Sequence, residues 1–414
     1  MLHIVVIGYV WPEPNSSAAG QNMLSIIKRF VNKNHKVTFV TAATDSVHKA
    51  DLDNLGVSCE SIELNSNSFD HRIAALAPDI VIFDRYMSEE QFAWRVKENC
   101  PNALRVLNTE DLHSLRQARH EAVKRTGDAA DADLSSLLAQ REVAAILRSD
   151  ITLILSKAEM RLLTDFYRVP KQQLYYLPLD VGEVLANTPS FHQRQDIVTI
   201  GNFRHAPNWD AVLQLKQTIW PKIRQALPHV NLRIYGAYPP KKATQLHNPK
   251  QGFFVEGWAE EATTVISNAK ILIAPVRFGA GIKGKLLDAM RCATPSLTTW
   301  IGAEGLGELI AEENAQNLWG GAICATPEEF AHHAKHLYTN EEAWTQAASQ
   351  GMQIFSAYQK ETNSGHVINT LEQLVTTRDA HRQGLFLQSL LWHQTLNASK
   401  YMSQWIEAKN KHPS

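Results

Sequence analysis

Short apolar runs alternate with helix-period segments twice along this chain, and that double alternation limits the fold more than any other feature. The first series runs HIVVIG (His3–Gly8), then a helix carrying Leu24, Ile27, Phe30 and Val31 on one face, then KVTFVTA (Lys36–Ala42). It continues through DIVIFD (Asp79–Asp84), ALRVLN (Ala103–Asn108) and ITLILS (Ile151–Ser156). The polar, Ala- and Arg-rich stretch Leu112–Arg148 reads as helix. A loop-like segment, Leu177–Gln195, precedes the second series: IVTIGNF (Ile197–Phe203), a helix around Trp209–Leu227, NLRIYG (Asn231–Gly236), GFFVEG (Gly252–Gly257) and AKILIAPV (Ala269–Val276). Strand–helix alternation predicts a parallel sheet covered on both faces. The expected architecture is therefore α/β, with doubly wound Rossmann-like domains over residues 1–190 and 191–360. They would face a cleft at the carboxyl ends of their strands, where such sheets bind ligands. Residues 361–414 are left as C-terminal helices, expected to return to the first domain.

Composition narrows the partners. The chain has 41 basic and 42 acidic side chains among 414 residues, so no global field points to nucleic acid. Cys59, Cys100, Cys292 and Cys324 are widely spaced, which reads as a reduced, cytoplasmic protein. The start, MLHIVVIGYVWPEPNS, lacks a signal peptide's basic region and reads as a first strand. No stretch reaches the roughly 20 apolar residues that span a bilayer. In the tail, Leu387, Leu391, Ala398, Met402 and Trp405 share one helical stripe, broadened by Phe386, Leu390 and Trp392. A helix packed back on the body is the first reading. A protein partner, or a peripheral contact with the inner face of a membrane, is the other.

The segment Phe278–Leu306, FGAGIKGKLLDAMRCATPSLTTWIGAEGL, carries most of the chemistry. It follows a strand and opens a helix, so Gly279, Gly281, Gly284, Lys283 and Lys285 cluster at a helix start. Free amides, the helix dipole and two ammonium groups favour an anion there.

Three segments together resemble the retaining GT-B glycosyltransferases of family 4. The first is IVTIGNFRHAPNWDAV (Ile197–Val212) with the following IWPKIRQALPHVNLRIYG (Ile219–Gly236). The second is the glycine–lysine block just described. The third is LNTEDLHSLRQAR (Leu107–Arg119), similar to a motif of a bacterial polysaccharide-assembly branch. The resemblance implies a nucleotide-diphosphate sugar as donor and a glycan, lipid-linked or protein acceptor, with no cofactor. It assigns Arg204, Lys283, Lys285, Gly281 and Gly201 to the donor diphosphate, and Asp288 to the ribose hydroxyls. Trp258 falls in the expected base-binding loop. His113 and Asp111 become the catalytic candidates, Asp111 either orienting His113 or capping its helix. Ser17, Gly20, Arg116 and Glu304 are assigned to donor or acceptor loops. One departure stands out: the family's first acidic position falls at Ala280.

No metal site is expected, because the DLD (Asp51–Asp53) and DADL (Asp131–Leu134) patterns lie far from the motif block. The rival readings are a nucleotide-sugar 2-epimerase of the same architecture and a non-catalytic nucleotide- or glycan-binding scaffold. A NAD-dependent oxidoreductase is disfavoured, since no GxGxxG follows the first strand.

Overall fold

The computed structural model describes residues 1–306, 319–364, 366–394 and 396–411. Its first sheet holds β1 (His3–Gly8), β2 (Lys36–Thr41), β3 (Ser58–Ser61), β4 (Ile80–Asp84), β5 (Leu104–Asn108), β6 (Ile151–Ile154) and β7 (Leu174–Tyr176). The spatial order is β3-β2-β1-β4-β5-β6-β7, and every pairing is parallel. The second sheet holds β8 (Gln195–Ile200), β9 (Leu232–Tyr235), β10 (Phe253–Gly257), β11 (Ala269–Ala274), β12 (Ser296–Thr298) and β13 (Gly321–Ile323). Its order, β10-β9-β8-β11-β12-β13, reverses direction between β8 and β11 as the first sheet does between β1 and β4. Crevices at such reversals are where open parallel sheets take their ligands. The result is two Rossmann-like domains with an added C-terminal helical tail.

The apolar runs became central strands because both of their faces are covered. All five residues of β4 and of β5 are buried. The strands that no run announced are short; β3, β7 and β13 lie at sheet edges, and three-residue β12 lies between β11 and β13. The helix Ala18–Asn32 buries Met23, Ile26, Ile27 and Phe30 and starts at Ser17, whose Oγ accepts from Gly20 N at 3.0 Å. In the second domain the expected single helix spans residues 206–226, broken by a π-helical turn at Leu215–Ile219.

The tail helices pack on the first domain through a face that differs from the expected stripe. Val367, Ile368 and Leu371 of the helix Val367–Gln383 join the core under β1, β4 and β5. Arg382 pairs with buried Asp150 at 2.7 Å, and Asp150 also takes the Gln388 amide at 2.9 Å. Two helices follow, Phe386–Gln394 and Leu396–Lys411. Trp392 is buried and donates to Arg148 O at 2.9 Å, while Phe386, Leu387, Leu390, Met402 and Trp405 stay exposed. Polar partners chose this face: Gln388 and Ser403 are buried on it, reaching Asp150 and Arg95. Among the described residues, no helix is long and apolar enough to cross a membrane.

Candidate functional site between the two sheets

The strand ends of the first domain carry a dense polar cluster. Arg85, after β4, and Glu110, after β5, both adopt left-handed backbone angles (φ 68° and 63°). Non-glycine residues hold that conformation at a cost, and such positions concentrate at functional sites. Glu110 is buried and accepts from Asn108 at 2.7 Å and Asn22 at 3.2 Å. Burial, and then the neighbouring Asp84 carboxylate, push its carboxyl well above the usual range. Asp84 in turn accepts from Tyr9 N at 3.1 Å.

Asp111, His113 and Arg116 follow directly. Asp111 pairs with Arg116 and lies 3.4 Å from His113 Nε2. Burial works against its ionisation, but Arg116, His113 and His205 together hold the carboxyl below its ordinary range. His113 is driven down to about 4, chiefly by burial, so its imidazole is neutral at pH 7. Asp111 leaves the helix start uncapped. Glu159 accepts Leu112 N at 2.8 Å, and Glu142 accepts His113 N at 2.9 Å and Ser114 N at 2.8 Å. Burial lifts the Glu142 carboxyl to about 7.

From the second domain, the glycine–lysine block meets this cluster. Gly281 (φ 64°) packs so tightly that an added Cβ would lie 2.8 Å from Asp111 Cβ. Only glycine fits that approach and that backbone. Lys283 Nζ donates to Gly281 O at 2.8 Å, and burial lowers its ammonium pKa. Lys285 Nζ donates to Asn208 Oδ1 at 2.7 Å, and burial takes it down to about 8. Among the described residues no carboxylate pairs with Lys285. Asn208 also packs on Gly201, where an added Cβ would sit 2.6 Å away. Ala280, the position without an acid, is 8% exposed and joins the first domain's apolar cluster with Leu112 and Leu115. A carboxylate there would be buried against hydrocarbon.

The remaining candidates have other partners. Arg204 is exposed and lies over the Tyr238 ring, 3.6 Å from its centre. Asp288 is held by Arg291 Nε at 3.0 Å, with burial raising its carboxyl pKa. Trp258 is 42% exposed and stacks on His48 across the cleft at 4.8 Å. Ser17 is a helix cap, and Gly20 lets Glu13's backbone pass where a Cβ would be 2.4 Å away. Glu304 forms a two-pronged pair with Arg119 at 2.6 and 2.7 Å, and Arg119 also donates to Gly279 O at 2.8 Å.

Sequence reasoning passed over Arg119, Asn208, Glu110, Glu142 and Glu159. Arg119 lay inside the quoted motif, while Glu110 and Glu159 follow β5 and β6, a placement that the strand-end rule flags. A cavity of about 190 Å³ opens beside His113, lined by Tyr86, Arg116, Gln117, His120 and Phe278. His120 and Phe278 stack across the two domains at 4.1 Å. Among the described residues no cluster of His, Cys, Asp and Glu could hold a metal ion.

The comparisons with known proteins agree with this architecture. Residues 194–340 match the family model for Glycosyl transferases group 1. HepE of Anabaena, solved with UDP and glucose, is 12% identical with a TM-score of 0.63, over 92% of this chain and 100% of its own. Sucrose-phosphate synthase from Thermosynechococcus elongatus is 14% identical with a TM-score of 0.62, covering 93% of this chain and 99% of its own. TarM of S. aureus, solved with fondaparinux, α-GlcNAc-glycerol and UDP, is 11% identical with a TM-score of 0.61, covering 88% and 100% respectively. No curated protein sequence matches the chain. Residues 194–340 thus carry a Glycosyl transferases group 1 domain, set in a two-domain framework shared with these solved structures.

Proposed function

We propose that the chain is a family 4-type transferase that moves a sugar, with retention of anomeric configuration, from a nucleotide diphosphate to a glycan, lipid-linked or protein acceptor. Surface polysaccharide or glycoconjugate assembly, in the cytoplasm, is the setting this reading favours. The domain division that goes with it is 1–190, 191–360 and a tail from 361. One observation carries the proposal: Lys285 is held as a half-buried ammonium group whose partner among the described residues is an amide oxygen, one residue beyond the glycine loop's helix start. A desolvated cation without a counter-charge is costly unless an anion arrives to pair with it.

In this reading Lys283, Lys285, Arg204 and the amides around Gly201 and Gly281 bind the diphosphate. They stabilise the charge that develops as the glycosidic bond breaks. Asp288 takes the ribose hydroxyls after exchanging its bond to Arg291, and the loop at Trp258 meets the base. The neutral imidazole of His113 hydrogen-bonds the sugar or the reacting oxygen, with Asp111 orienting it. The leaving phosphate takes the acceptor's proton, so no separate base is required. The cavity beside His113 suits a sugar ring or the acceptor, with Ser17, Gly20, Arg116 and Glu304 on the surrounding loops.

The test is a thermal-stability panel with UDP-, GDP-, ADP- and dTDP-sugars, followed by product analysis with and without acceptors. Stabilisation by one base, then transfer, is expected, because a bound ligand raises stability by mass action. Lys283→Ala and Arg204→Ala should each erase the stabilisation. If both retain it, the diphosphate assignment fails; epimerised donor formed without acceptor would instead identify an epimerase.

A further inference from the structure

Glu159 joins the two halves of the site through one atom. It stands on the helix Lys157–Arg161, directly after β6, and is 1% exposed. Its Oε1 accepts Leu112 N, which precedes the His113 helix, at 2.8 Å. The same oxygen accepts Gly281 N, from the glycine loop of the other domain, also at 2.8 Å. Among the described residues its Oε2 is buried without a hydrogen-bond partner, as is the hydroxyl of Ser156. Ser156 lies beside Gly305, where an added Cβ would be 2.9 Å from its Oγ. A buried carboxyl with one idle oxygen is an expensive way to fix a loop, unless its position serves something else.

We propose that Glu159 is a positioning residue: by holding the Leu112 and Gly281 amides on one oxygen, it sets the register between His113 and the phosphate loop each time the domains close. The geometry accounts for Gly281 as well. Any side chain there would collide with Asp111 and move the amide off the shared oxygen. The role in turnover rests on the proposed sugar transfer, whereas the shared contact itself does not.

The groups facing Glu159 also make its hold depend on pH. Asp111 and Glu304 face it as like charges, Lys283 faces it as the opposite charge, and burial dominates, lifting its carboxyl to about 8. With the domains apart the group returns towards its ordinary 4.5, so closure takes up a proton between those values. The raised value belongs to the closed form. Closure is therefore strongest at low pH, weakens as pH rises towards 8, and levels off above it.

Hydrogen exchange of the full-length protein tests the contact without any substrate. In Glu159→Ala, the peptides containing Leu112 and Gly281 should both exchange at least about tenfold faster, with β1 and β11 unchanged. Glu159→Gln keeps the accepting oxygen and should restore both. Corrected for intrinsic rates, wild-type protection at Gly281 should fall from pH 6 to 8 relative to Glu159→Gln. Overturning results would be unchanged exchange in Glu159→Ala, loss on only one side, or a Gln variant as unprotected as Ala. If Glu159→Ala loosens the core strands too, the pH comparison between wild type and Glu159→Gln decides. In turnover with a UDP-sugar, Ala should lower kcat more than it raises KM, and Gln should restore kcat. A protein that transfers no sugar yet shows these exchange patterns would sink the proposed function and leave the contact standing.

Discussion

Lys285→Met separates stability from binding more sharply than any other substitution in the site. Methionine keeps the apolar stem and removes the ammonium group. Burial lowers Lys285 from an ordinary 10.5 to about 8, which corresponds to roughly 3 kcal/mol opposing the charged form. The residue keeps part of its surface in solvent, so screening reduces that figure. Loss of the 2.7 Å bond to Asn208 costs about 1 kcal/mol in return. The ligand-free variant should therefore be at least as stable as wild type at pH 7. Because the folded-state value lies below the unfolded one, the difference should shrink as pH rises from about 8 to 10.5. Binding runs the other way: losing a charge-assisted bond of ~1.5–3 kcal/mol should weaken UDP about 10- to 150-fold. A bound diphosphate restores the proton to Lys285, so wild-type affinity should fall above about pH 8 while the variant's does not. Denaturant melts at pH 7 and 9.5, paired with calorimetric titration of UDP, would read both effects. A variant destabilised by more than about 1 kcal/mol, with unchanged UDP affinity, would refute the reasoning.

The further expectations concern the first domain. His113 is held neutral down to about pH 4, so its titration should leave kcat flat from pH 7 to 5. His113→Ala should lower kcat by roughly 10²-fold or more if the imidazole meets the reacting groups, as steady-state rates at saturating donor would show. Arg382→Ala leaves Asp150 buried and short of one cation, which should destabilise the first domain by about 3–5 kcal/mol in denaturant unfolding followed by Trp392 fluorescence. Asp150 is depressed in the folded protein by Arg105 and Arg382, against burial. Its contribution is thus present above the ordinary carboxylate range and lost as pH falls below it.

The architecture was legible wherever a strand is buried on both faces. HIVVIG and the runs around β4, β5 and β11 have no polar alternation because no face meets water. The edge strands SCES and GAI carry no such signature. In the site, the glycine–lysine block was readable because a loop opening a helix is local in sequence. The pairs that span the cleft were not. Glu159 and Gly281 are 122 residues apart, and Arg119 and Glu304 are 185 apart, so only the relative placement of the domains brings them together. The tail shows the same limit from another side. Its apolar stripe pointed to one face, while buried hydrogen-bond partners for Gln388 and Ser403 selected another.

The Asp150–Arg382 pair also has a history in the making of the chain. The two residues lie 232 positions apart, so Arg382 emerges well after β6 during synthesis. At ~5–20 residues per second, β6 and its neighbours wait roughly 10–50 s for the second cation at Asp150. During that interval Asp150 of the nascent first domain has Arg105 but lacks Arg382, and the face where Trp392 will sit is bare. The first domain thus depends on a segment made much later as its clasp, and a ribosome that stops short of that segment releases a domain with an open seam.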